Sequence, residues 1–147
     1  MPEAPMSRTL PLLLLLAAAW PAAVLATGFG GDSPPTRIPV PAREFKATVE
    51  DRAGAVVQLT RVTLNGEIFF SGVVGEGQVS VPFDTLAEVR IEPSGDDKKV
   101  VALVKLHDGA SVRMTLDYDV PFYGDAVFGH YKIEIEKVRK LTFPPPG

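Results

Sequence analysis

The chain has 147 residues, with 15 Lys and Arg against 18 Asp and Glu, a formal net charge of −3 and no cysteine. Disulfides, a cysteine-held lipid and a cysteine nucleophile are thereby excluded. The two signs of charge are interspersed, which leaves no footprint for nucleic acid or for an anionic membrane.

Residues 6–26 read as a secretory signal peptide: Arg8 supplies a positive n-region, residues 10–19 are mainly apolar, and Val24, Leu25 and Ala26 form a small-residue cleavage site. Its uninterrupted apolar run, 12–20, is far short of the roughly 20 residues a spanning helix needs, so cleavage is expected rather than anchoring, with no stable membrane span afterwards. Glu3 opposes the n-region charge, and translation is expected to begin at Met6. Export without disulfides points to a bacterial envelope, with a periplasmic or extracellular product. Cleavage would remove Trp20, the single tryptophan, leaving tyrosine-only fluorescence. Residues 27–44, rich in Gly and Pro, read as a linker; residues 45–143 read as one domain, and 144–147 as a Pro-rich tail.

Within the domain, alternation predicts strands with one wet face. Phe45, Ala47 and Val49 alternate with Lys46, Thr48 and Glu50, and the same period recurs around Val79–Val81–Phe83, Val112–Met114–Leu116 and Tyr131–Ile133–Ile135. Pro82 marks an edge or a strand end. A change of phase between Leu59 and Val62 predicts a β-bulge. Asn65 and Gly66 favour a type I′ hairpin. Residues 100–103 are apolar on both faces and belong in the interior of a sheet or at the junction of halves.

The two halves, about 45–92 and 99–143, match. A shift of 55 pairs Ala47, Val49, Gly54, Val57 and Leu59 with Ala102, Val104, Gly109, Val112 and Met114. A shift of 52 pairs Phe70, Gly72, Gly77, Val81, Phe83, Leu86, Val89 and Ile91 with Phe122, Gly124, Gly129, Ile133, Ile135, Val138, Leu141 and Phe143. Matched glycines imply matched backbone needs, so a duplication is expected. The fold class is all-β, a compact barrel or sandwich of about eight to nine strands built from two similar halves.

The layout of each half, with an early glycine turn and a glycine-poor closing segment, resembles Sm-like or SH3-like small-barrel modules. It is also similar to exported bacterial β domains that close on an apolar ending, here Val138, Leu141 and Phe143. The resemblance implies a fold and carries over no functional residue.

Residues 117–131 concentrate five aromatic rings, three carboxylates and one of the two histidines. Rings can stack on a sugar or peptide while Asp and His supply directional hydrogen bonds. Tyr118, Phe122, Tyr123, Asp125 and His130 are therefore the candidate binding residues, against the alternative that Phe122 and Tyr131, which align with Phe70 and Val79, are core. Asp117, Asp119 and Asp125 form a calcium candidate that lacks the remaining ligands of a known loop. No cofactor is expected, and no nucleophile elbow or paired metal spacing is present. The expected function is a non-enzymatic binding or structural module of the envelope, with a protein, peptide or glycan as partner. Its alternatives are a small hydrolase using carboxylates with His130 and an accessory subunit of an envelope complex. Within the binding class, a peptide could also add along a strand edge, with Pro82 marking a blocked one.

Overall fold

The computed structural model describes residues 33–145, so the expected signal peptide, the first part of the expected linker and the last two residues of the tail lie outside the described residues. Ten strands are formed: β1 (Ala47–Asp51), β2 (Val56–Leu64), β3 (Phe69–Val74), β4 (Gly77–Pro82), β5 (Leu86–Pro93), β6 (Lys99–Leu106), β7 (Ser111–Asp117), β8 (Pro121–Ala126), β9 (Gly129–Glu134) and β10 (Val138–Thr142). Single 3₁₀ turns, Phe83–Thr85 and Ile135–Lys137, precede β5 and β10. Gly54 and Gly109, at φ of 93° and 92°, close the β1–β2 and β6–β7 turns in the left-handed region that glycine enters without a Cβ penalty.

All-β is the observed class. The strands form one antiparallel sheet in the order β4-β3-β7-β6-β5-β10-β1-β2-β8-β9, curled into a half-barrel. Ten strands replace the eight to nine expected. The additional ones were obscured because Gly72 in β3 and Gly124 in β8 interrupt the apolar alternation. Their lack of a side chain has a cause in the packing. A Cβ at Gly124 would lie 2.9 Å from Leu59 Cβ, and one at Gly72 would lie 2.6 Å from Met114 Sδ and 2.8 Å from the Thr115 carbonyl oxygen.

Replacing each strand by the one five places along the chain turns the order into its own reverse. The midpoint is the β5–β10 pair, where Val89 lies opposite Leu141. As a result the first two strands sit beside the last three, and β3 to β7 form the other side of the sheet. The Asn65–Gly66 turn is present, with φ of 52° and 88°, but the expected hairpin is not. Only Leu64 and Glu67 pair across it; β2 then runs against β8 and β3 against β7.

The concave face holds the core. Phe70, Phe83, Phe122, Leu59, Leu86, Met114, Ile135 and Leu141 are fully buried. Sequestering each such side chain stabilises the fold by about 1.5–3 kcal/mol. β6 is interior, as its two apolar faces require, and β4, which ends in Pro82, is an edge strand. The stretch expected as a linker does not stay free along its whole length, because Ile38 and Pro41 are buried, and just after it Val62 N donates to the Phe45 carbonyl at 3.2 Å. Phe45 meets Phe83 edge-on at 5.7 Å, and Phe83 meets Phe143 at 5.0 Å, which ties both ends of the domain to one aromatic cluster.

Candidate functional site

The phase change in β2 is a bulge. Thr60 pairs with Asp125 and Thr63 with Tyr123, so two residues of β2 stand opposite Gly124 alone, and Arg61 takes φ of 54°. The bulge turns the Arg61 guanidinium toward the convex face of β8, where its Nη1 donates to Asp125 Oδ2 at 3.2 Å. Glu44 Oε1 lies 3.8 Å from Arg61 Nε.

On the other side of Asp125 the β8–β9 register places His130 directly opposite. Its Nδ1 lies 2.7 Å from Asp125 Oδ1. A carboxylate only accepts, so Nδ1 is the donor and Nε2 is left pointing away from the pair. Both carboxylate oxygens of Asp125 are thus engaged, one by a guanidinium and one by an imidazole. The guanidinium contact is charge-assisted, and the one carboxylate orients both side chains. Beyond them the β8–β9 turn exposes Val127 completely and Phe128 at 73 %. A groove of about 490 Å³ runs beside this tip, with Lys46, Thr48, Gln58 and Thr60 along one side and Asp125 and Val127 along the other.

Three of the five expected binding residues share this face. Tyr123, Asp125 and His130 project outward from β8 and β9, with Lys132 opposite Tyr123. Phe122 does not join them: its neighbour relation in the strand points it inward, and it is fully buried in the core, which corrects its assignment as a contact residue. Tyr118 lies before β8, half-buried against the core, and borders a separate groove with Arg52, Ser94 and Asp96. The calcium set is also not assembled. Asp117 is paired with Lys99 Nζ at 2.5 Å, Asp125 is held by Arg61 and His130, and no three acidic or histidine ligands are grouped among the described residues.

On the opposite face of β9 Tyr131 packs toward the core. Burial raises its phenol pKa above the ordinary value, and the Asp51 carboxylate raises it further. The Lys99 ammonium is likewise raised by its hydrogen bond to Asp117 and by the charge of that carboxylate.

Sequence reasoning missed Arg61 and the Val127–Phe128 tip. The bulge was legible, and a bulged residue is re-aimed by definition, so Arg61 could have been found from that signal. The tip was obscured because an apolar pair in a turn reads as part of a strand.

Comparison with curated proteins and with solved structures returned no match. A family model described as an uncharacterised protein matches residues 41–144, from the buried Pro41 past the last strand. The chain therefore belongs to this family of uncharacterised proteins.

Proposed function

We propose that this protein is an exported, non-enzymatic binding or structural module, in which the β8–β9 hairpin and its neighbouring groove recognise a protein, peptide or glycan. The observation that carries the reading is the Asp125 network. A carboxylate whose two oxygens hold Arg61 and His130 is an orienting group, and it fixes two nitrogen-rich side chains beside an exposed apolar tip. Polar groups held around a solvent-exposed aromatic are the ordinary chemistry of a recognition surface.

The mirrored strand order and the Val89–Leu141 pairing support a duplication, since these two residues are also matched by the 52-residue shift. Each five-stranded group, β10-β1-β2-β8-β9 and β5-β6-β7-β3-β4, resembles a Sm-like or SH3-like module. A structural role as an accessory subunit would use the same exposed hairpin as its contact.

A second reading, a small hydrolase, is favoured by one observation, the 2.7 Å pair of Asp125 and His130. Such a pair can make Nε2 a general base, with water as the nucleophile.

The test compares the intact exported protein with Tyr123→Ala, His130→Ala and Phe128→Ser in affinity capture from the compartment into which it is exported. Recognition predicts loss of the captured partner with an unchanged melting temperature. Capture that survives all three substitutions overturns the reading, as does unfolding by each of them. Ester or glycoside hydrolysis abolished by His130→Ala would instead establish the second reading.

A further inference from the structure

The sheet carries a second groove, of about 480 Å³, across the outward faces of β5, β6 and β7. Its register aligns Arg90, Leu103 and Arg113 side by side, one on each strand. With strands spaced about 4.8 Å apart, the two arginines stand roughly 10 Å from each other with Leu103 between them. Lys105 pairs with Ser111, which makes it the diagonal neighbour of Arg113 on the same face, within reach of a long side chain. Glu88 is the one carboxylate lining the groove, and Arg90 Nε already holds it at 2.9 Å. Lys105 and Arg113 are exposed and make no hydrogen bond or ion pair among the described residues.

The fold does not require cations here. The corresponding row on the other side of the sheet is Thr142, Thr48 and Gln58, in the same register across β10, β1 and β2, and all three are neutral. An arginine on each side of a half-buried leucine is therefore a property of this groove and not of the sheet, whereas Lys105 stands opposite Glu88 as its counterpart Glu50 stands opposite Lys140.

We propose that the β5–β6–β7 groove binds an acidic peptide segment of a partner protein, with carboxylates reaching Arg113 and Lys105 and an apolar side chain lying over Leu103. The groove is open along its length and would not enclose a small molecule in the manner of a ligand pocket. Glu88 within it and the net charge of −3 oppose a membrane surface or a nucleic acid, whose dense charge rewards an extended basic face. Leu103 also offers an apolar contact that a phosphate chain would not use. This site is separate from the β8–β9 tip.

The test titrates the full chain into a fluorescein-labelled peptide of alternating Glu and Leu at low salt, read by anisotropy. Saturable binding is expected, weakened roughly tenfold when Lys105→Gln and Arg113→Gln are combined, since each exposed ion pair contributes a fraction of that factor. Ser111→Glu, which places a carboxylate beside both cations, should weaken it as well. Lys46→Gln in the other groove should leave binding unchanged, and Phe128→Ser should too, which separates this outcome from the recognition proposed for the hairpin. Equal binding of a Gln–Leu peptide, or of the double variant, overturns the proposal. So does capture of the protein by phosphatidylglycerol vesicles without peptide binding.

Discussion

Val89 and Leu141 face each other across the β5–β10 pair, both without solvent exposure, at the middle of the ten-stranded sheet. They are the hinge of its mirrored strand order: β5 joins β6, β7 and the β3–β4 hairpin, while β10 joins β1, β2 and the β8–β9 hairpin. Because the two five-stranded groups meet along this pair, their stabilities are coupled through it.

Leu141→Ala should destabilise the protein by about 2–5 kcal/mol through lost burial and the cavity left behind. Urea unfolding followed by circular dichroism measures it. A single transition at lower midpoint is expected; an unchanged midpoint would mean that the centre of the sheet is not where its stability lies.

Gly72→Ala and Gly124→Ala should each cost about 1–3 kcal/mol by overpacking. Gly72 is expected to be the more costly, since its new methyl would meet the Thr115 carbonyl oxygen at 2.8 Å as well as the movable Met114 sulfur. At Gly124 the nearest atoms belong to the side chains of Leu59 and Val62. Thermal melts of the two variants rank them, and a reversed order would contradict the packing described for β3 against β7.

Arg61 tests the bulge. At φ of 54° a β-branched residue is strained, so Arg61→Val should lose about 1–2 kcal/mol. Arg61→Gly relieves the backbone and loses only the partly exposed ion pairs to Asp125 and Glu44, and its melting temperature should lie close to that of the native protein. Equal melting temperatures for the two variants would show that the bulged conformation is not strained.

Tyr131 carries a pH dependence whose sign follows from its raised pKa. The unfolded chain gives up this proton first as pH rises, so the folded state binds more protons above the ordinary tyrosine pKa of about 10. The associated stability is complete below the unfolded pKa and is lost as pH rises through the folded one. Alkaline absorbance titration should contain a high-pH component that Tyr131→Phe removes. A native titration lacking that component would place Tyr131 in solvent.

The strands, the bulge and the glycine turns were legible in the chain because each depends on neighbours within a few residues. Ala47 and Val49 alternate with polar residues whatever they pair with, and Gly54 and Gly109 are needed wherever a turn demands positive φ. What escaped local reading was partner choice. Asn65 and Gly66 form the turn their sequence favours, yet β2 leaves β3 after one pair to run along β8, where Gly124 admits Leu59 and Val62.

The candidate sites divide in the same way. His130 and Asp125 lie five residues apart and meet across one hairpin, so the sequence could bring them together. Arg61 reaches them only because β2 docks on β8. Arg90, Leu103 and Arg113 come from three strands, and in a chain of mixed charge nothing marks them as a set. Alternation and turn chemistry, which act over a few bonds, were determined by the sequence alone; strand order was decided only when the whole core was packed, and with it which distant cations share a face.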